Sequence, residues 1–373
     1  MPELVAIAMA GGPGFVDALR RVWDAGDAAF VVDDRLPRAA AEALVAAMAP
    51  AWLIDESGSR HVRRDGVPVE DGDALVVATS GSTGDPKGVV HTHAGVTASA
   101  LATSTRLSVD PARDKWLACL PLAHIGGLSV VCRALVTGTP VDVHPRFDAT
   151  SVDSSDATLV SLVATALARI DAARFRMIVL GGAAPPPHVP PNAVTTYGMT
   201  ETGSGVVYDG YPLDGVEVRV DSDGEVWLRG PMLLRTYRDG VDPKTSDGWL
   251  ATGDIGELAA DGRLVVRGRL GDVIVSGGEK IWPEAVERVL STHSDVRDVA
   301  LGRADDAEWG QRAVAYVVPA EPTSPPSLDA LRDHVKEKLP AYMAPRQLVL
   351  VESIPRTALG KIRRAELRLD SDI

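Results

Sequence analysis

The run Thr79-Ser80-Gly81-Ser82-Thr83-Gly84-Asp85-Pro86-Lys87-Gly88 has the composition of an anion cradle. Small residues let several backbone N–H groups turn toward one point, hydroxyls add donors, and Lys87 adds a cation. No G-x-x-x-x-G-K-[ST] spacing surrounds it, so it is not a Walker A loop. A Ser/Gly linker would share this composition, but the fixed Pro-Lys-Gly ending argues against one. Thr200 and Glu201 follow the apolar run Ala-Val-Thr-Thr-Tyr. A hydroxyl there can bond a phosphate, and a carboxylate beside phosphates is a good Mg2+ anchor. Arg133 sits in the otherwise apolar stretch Gly126 to Val136. Burying it costs free energy unless an anion pairs with it, and a carboxylate held by both guanidinium edges is the best partner. That carboxylate is either an internal Asp or Glu or part of a ligand. His124, nine residues earlier, is by residue type as readily a structural histidine as a functional one.

Alternating elements must position these groups. Phe15, Leu19, Val22 and Trp23 share a helical face, 28–32 is a short apolar strand, and 37–48 is again helical. The rhythm continues with strands at 73–78, 115–120, 140–143 and 177–180 and helices from about Ala94 and Gly126. A layered α/β sheet follows, with the phosphate loop expected between a strand and a helix. From Gly215 short alternating segments with Asp-Gly turns predict an antiparallel β subdomain. A smaller α+β unit is expected after Arg269, with a helix at 283–290 and strands near Val273, Val299, Val314 and Leu348. The expected domains are therefore 1–269 and 270–373.

The 373 residues exceed one ordinary core. A net charge of −13, with Lys and Arg scattered, leaves no footprint for nucleic acid. Cys119 and Cys132 both lie in apolar stretches and read as buried reduced thiols, which suits a cytoplasmic protein. Neither a secretion signal nor a membrane-inserting segment is expected.

The phosphate-loop run resembles that of the adenylate-forming enzymes, which include acyl-CoA synthetases and peptide-synthetase adenylation domains. Further segments match that family in order: P-L-A-H-I-G-G-L from Pro121, G-G-A-A from Gly181, Y-G-M-T-E-T-G from Tyr197, T-G-D from Thr252, G-R-L-G-D-V-I-V-S-G-G-E-K-I from Gly268, E-W-G-Q-R from Glu308 and P-R-T-A-L-G-K from Pro355. The resemblance implies that ATP lies against Gly181, Gly182, Ala183, Tyr197, Gly198 and Met199, with Tyr197 stacked on adenine. It implies that Asp254 binds the ribose hydroxyls with help from Arg269, and that Thr200 and Glu201 serve the α-phosphate and Mg2+. Lys361 would stabilise charge as an acyl carboxylate attacks that phosphate. Gly277, Gly278 and Glu279 would replace Lys361 when CoA attacks, after the small domain rotates as a mobile lid. At the hinge the family usually carries Asp or Lys, and this chain has Gly271.

The short chain, the His124–Arg133 spacing and S-G-G-E-K-I resemble the branch of the family that joins o-succinylbenzoate to CoA in menaquinone biosynthesis. That acid is an aromatic dicarboxylate. One carboxylate would be adenylated while Arg133, with Thr202 and Ser204, holds the other. Another aromatic or short-chain acid, or a carrier protein in place of CoA, remains open on these residues. The family also implies a homodimer.

Overall fold

In the computed structural model, described for residues 1–80, 86–183, 185–186, 188–357 and 360–367, the chain forms two compact units. The first comprises Met1–Gly182, Pro190–Val218 and Leu228–Leu250, and the second Ala183–Val189, Arg219–Trp227 and Ala251–Ile373.

The first unit holds two seven-stranded sheets among the described residues. One runs Thr236–Tyr237, Pro86–Thr92, Asp73–Ser80, Ala28–Val31, Leu4–Ile7, Trp52–Ile54, Arg60–Val62. Leu4–Ile7 and Ala28–Val31 are buried on both faces and pair in parallel, as expected where helices cover a sheet. Helix Pro13–Asp24 buries Phe15, Ala18, Leu19 and Val22, and Trp23 donates its indole N–H to the Ala74 carbonyl at 3.0 Å. The other sheet runs Tyr211–Pro212, Ser204–Tyr208, Ala193–Met199, Met177–Leu180, Leu159–Leu162, Trp116–Ala118, Val141–Val143. Helices His93–Arg106 and Ile125–Thr137 pack on each other, the first capped by Thr92, whose hydroxyl accepts from Gly95 N–H at 3.0 Å.

The phosphate-loop run departs from the expected strand-to-helix turn. Asp73–Ser80 pairs antiparallel with Pro86–Thr92, Thr79 opposite Lys87 and Ser80 opposite Pro86, so the run joins two strands of a hairpin. Pro86 occupies the first position of its strand, where a missing N–H costs least. The helix begins at His93, close to the expected start near Ala94.

Much of the second unit is a mixed layer. Val296–Asp306 and Gly310–Pro319 form a long antiparallel pair, Gln347–Leu350 joins it in parallel, and Ile274–Ser276 with Glu279–Ile281 completes the sheet. Helix Pro283–Leu290, which starts on Pro283 as a first-turn residue, buries Val286, Val289 and Leu290 against this sheet together with Leu331 and Val335 of Leu328–Lys336. Hairpin strands Leu250–Leu258 and Leu264–Arg269 fall almost wholly within this unit, so contact density divides the chain earlier than residue 270. The fold class is α/β sheet layers, a β subdomain and a small α+β C-terminal part.

Candidate active site

In the first unit Tyr237 reaches both Glu201 and Lys87. The single turn Thr200–Thr202 follows strand Ala193–Met199 directly. The Glu201 carboxylate accepts a hydrogen bond from the Tyr237 hydroxyl at 3.0 Å. The Lys87 ammonium stands 5.2 Å from the centre of the same tyrosine ring, within cation–π range. Burial and the neighbouring Glu201 charge push the Tyr237 phenol well above its usual value, so it stays a donor. Thr79 lies across from Lys87, its hydroxyl donating to the Lys87 carbonyl at 3.4 Å. Ser80 ends its strand there. Gly81, Ser82, Thr83 and Gly84 lie outside the described residues.

The Thr200 carbonyl is held by Nε2 of His91, 2.8 Å away on strand Pro86–Thr92. His91 is fully buried, and burial pushes its pKa down to about 4, so a neutral ring donates this bond. Sequence reasoning missed both His91 and Tyr237, since neither lies in a local motif.

Thr202 does not face a ligand. It is fully buried, and its hydroxyl accepts from Met199 N–H at 2.9 Å and lies 2.9 Å from the Met199 carbonyl and 2.6 Å from the Ser204 carbonyl. Its work is to fold the turn, a correction to its expected substrate contact. Gly198 beside it must be glycine, because a Cβ would stand 2.2 Å from the Ser204 carbonyl oxygen. Tyr197, Gly198 and Met199 end one strand, and Gly181 and Gly182 follow its neighbour Met177–Leu180, so the two segments are adjacent in the sheet. Ala183 is exposed.

Arg133 lies on helix Ile125–Thr137 and is 2% exposed. Among the described residues no carboxylate lies within 4 Å of it, so none of them is the internal partner. Nη2 reaches only the Ser204 hydroxyl at 3.4 Å, and Nε and Nη1 have no hydrogen-bond partner. The guanidinium lies over the Trp116 ring at 4.8 Å. Ile125, Ser129, Cys132 and Arg133 fall on one helical face and line a pocket with Ser99, His91 and Gly203. Burial lowers the Arg133 pKa, but from so high a start that the charge remains. Both cysteines are free and buried, with Cys119 and Cys132 pushed up to about 12, so neither is a thiolate. His124 precedes the helix as its N-cap without a capping side-chain bond, and Nε2 lies 3.7 Å from Asp33, which Arg35 grips with two bonds of 2.7 and 2.6 Å.

In the second unit Asp254 and Arg269 face each other across the hairpin, Nε to carboxylate 2.9 Å, with the Asp254 side chain 8% exposed. The Thr-Gly-Asp segment lies inside strand Leu250–Leu258. Lys361 is exposed as a residue. Its ammonium is still desolvated enough, with Arg269 nearby, to hold its pKa below the usual lysine value against Asp254, Asp272 and Glu284. Arg364, three residues on, donates to Glu287, to Glu284 at 3.0 Å and to Asp272 at 3.2 Å, tying this segment to helix Pro283–Leu290. Gly271 has open space where a side chain would go. Gly277 and Gly278 make the turn before Glu279 with φ of 59° and 84°, and a Cβ on Gly277 would stand 2.5 Å from the Trp309 ring.

The described residues hold no group of three or more His, Cys, Asp or Glu able to bind a metal. A single carboxylate, Glu201, fits Mg2+ shared with phosphate oxygens, the usual mode for this hard and strongly hydrated ion.

The model described as AMP-binding enzyme matches residues 17–238, and that of the AMP-binding enzyme C-terminal domain matches 285–361. The chain belongs to the AMP-binding enzyme family. A probable 2-succinylbenzoate–CoA ligase of Mycobacterium tuberculosis is 41% identical over 337 residues, 82% of this chain and 86% of that protein. The 2-succinylbenzoate–CoA ligase of Bacillus subtilis is 31% identical over 94% of this chain and 80% of its own. The solved o-succinylbenzoate CoA synthetase of Bacillus subtilis, in complex with its acyl-adenylate intermediate, superposes with a TM-score of 0.84 at 28% identity, covering 98% of this chain and 87% of that one. An amide bond synthetase from Marinactinospora thermotolerans also scores 0.84, at 25% identity over 98% and 90%.

Proposed function

We propose that this AMP-binding enzyme is a ligase that converts 2-succinylbenzoate, ATP and CoA to 2-succinylbenzoyl-CoA, AMP and pyrophosphate, a step of menaquinone biosynthesis. The observation that carries the substrate is Arg133, a buried cation with two unpartnered nitrogens lining a pocket. A dicarboxylic acid supplies the missing anion and keeps its other carboxylate for chemistry.

In the first half-reaction a carboxylate oxygen of the acid attacks the α-phosphorus of ATP, and the bond to the bridging oxygen breaks to release pyrophosphate. Lys361 and Lys87 oppose the charge that builds up on the phosphates, and the Thr200 hydroxyl holds an α-phosphate oxygen. Glu201 would hold Mg2+, which offsets repulsion between phosphates and the incoming carboxylate. Tyr237 keeps Glu201 oriented. Asp254 and Arg269 receive the ribose, and Tyr197 with Gly181 and Gly182 receives adenine. In the second half-reaction the CoA sulfur attacks the acyl carbonyl carbon and AMP leaves.

Residues 270–373 act as a lid that turns about Gly271 between the halves, exchanging Lys361 for the Gly277–Gly278–Glu279 turn. The open space around Gly271 supports this role. Two buried free thiols support a cytoplasmic setting. Among the described residues no helix is long and apolar enough to cross a membrane. A homodimer rests on family resemblance alone.

The test measures pyrophosphate and CoA thioester together, with 2-succinylbenzoate, benzoate and succinate, on wild type and Arg133→Ala. A preference for 2-succinylbenzoate that collapses in the variant is expected. Equal use of a monocarboxylate by the wild type would refute the substrate, and pyrophosphate without thioester would refute the acceptor.

A further inference from the structure

We propose that the acid-free enzyme binds a small monovalent inorganic anion, chloride under physiological conditions, against Arg133, and that the acyl substrate must displace it. This deepens the proposed function and rests on its pocket, but not on which acid fills it.

The argument starts from a charge that has nowhere to go. Arginine does not deprotonate in proteins, so Arg133 carries its positive charge whether or not substrate is present. It is 2% exposed, so water does not solvate it as it would a surface arginine. The described residues offer no carboxylate within 4 Å, and two of its nitrogens make no hydrogen bond. The remaining contacts are weak: a 3.4 Å approach to the Ser204 hydroxyl and the face of Trp116. Nearby groups do not supply an anion either. The Cys132 thiol is pushed up to about 12 and is neutral. The Tyr208 hydroxyl is near the Thr103 hydroxyl, at 3.3 Å. His91 is neutral above about pH 4 and spends its N–H on Thr200. An uncompensated buried charge is among the more costly features a folded chain can carry.

The pocket specifies what would relieve it. Arg133 lines it together with the hydroxyl-bearing Ser99 and Ser129, both buried, while Leu75, Val96 and Ile125 make its apolar wall. One guanidinium balances one negative charge, so a dianion such as sulfate or hydrogen phosphate would leave an excess buried charge behind. A halide or nitrate balances it and accepts from guanidinium and hydroxyl together. A water molecule would satisfy a donor without neutralising the charge.

The direct experiment is 35Cl line broadening on the substrate-free full chain. Broadening that is reversed by adding 2-succinylbenzoate to the wild type, and that is missing from folded Arg133→Gln, is expected. Kinetically, replacing gluconate by chloride at constant ionic strength should raise the KM for the acid several-fold and leave kcat unchanged. Wild-type broadening no greater than that of Arg133→Gln overturns the proposal and leaves water in the pocket. Should Arg133→Gln misfold, reversal by nitrate and by the acid in the wild type decides alone, and broadening that neither reverses overturns the proposal. The two readings fail separately. Arg133-dependent, nitrate-reversible broadening that 2-succinylbenzoate does not reverse keeps the anion site and removes that acid as substrate. Acid selectivity that depends on Arg133 without any chloride signal keeps the substrate and removes the anion.

Discussion

Tyr237 binds Glu201 through its hydroxyl while its ring faces the Lys87 ammonium, so one side chain touches both the anion and the cation that the phosphates of ATP would meet. In the proposed reaction Glu201 would hold the metal ion and Lys87 would meet phosphate.

Tyr237→Phe keeps the ring and removes the bond. A hydrogen bond to a charged group contributes about 1.5–3 kcal/mol, so kcat/KM for ATP should fall by roughly tenfold or more. Raising free Mg2+ should recover part of the loss if the damage is at the Glu201 anchor. Pyrophosphate release across a Mg2+ titration measures it; a loss indifferent to Mg2+ would count against this role.

His91 predicts a dependence of stability on acid. An unfolded chain takes up a proton near pH 6.5, whereas the buried ring stays neutral down to about 4. Between those values the unfolded state binds more protons, so stability falls as pH falls and is unaffected above pH 6.5. Two and a half pKa units correspond to roughly 3 kcal/mol at the acid end. Urea unfolding across this range should show the slope in wild type and a shallower one in His91→Gln, whose amide can still donate to Thr200.

Lys361 has a pKa below the ordinary lysine value, so its charge is lost earlier on the alkaline side. Pyrophosphate formation should therefore decline with rising pH before thioester formation from added acyl-adenylate does. Lys361→Ala should reduce adenylation by about a hundredfold or more and leave thioester formation within a few-fold. Equal loss of both half-reactions would contradict the exchange of groups by a lid.

Gly277→Ala places a methyl group 2.5 Å from the Trp309 ring at a φ of 59°. Strain of this kind costs about 1–3 kcal/mol. Urea denaturation should register it, and Trp309→Ala in the same chain should return the steric part. Gly271→Ala meets no atom and should leave stability within about 0.5 kcal/mol.

Elements with a strong local period are legible in the residues themselves. Val286, Val289 and Leu290 announce one face of Pro283–Leu290, and the apolar runs at Met177–Leu180 and Trp116–Ala118 form largely buried strands. Strand Pro86–Thr92 is not legible in this way, because its first three residues carry loop chemistry and its apolar pair Val89–Val90 is short. Arg133 is visible as a charge out of place, but what surrounds it depends on packing from other elements. Tyr237 and His91 have no local signal: one meets Glu201 from 36 residues away and the other meets Thr200 from 109. Thr202 misleads because a hydroxyl in a motif looks available, whereas its bonds are to backbone atoms that composition does not display.

The hairpin turns the placement of Lys87 into a question of parity. Thr79 pairs with Lys87, and Tyr237 pairs with Val89, two residues further on, so Lys87 and Val89 share a face and the tyrosine lies diagonally across from the lysine. Sliding either pairing by one residue would send the ammonium through the sheet to the other side, away from Glu201. A change of two would return it to the correct side at the wrong height. The backbone ladder, by counting residues, sets the address of this charge.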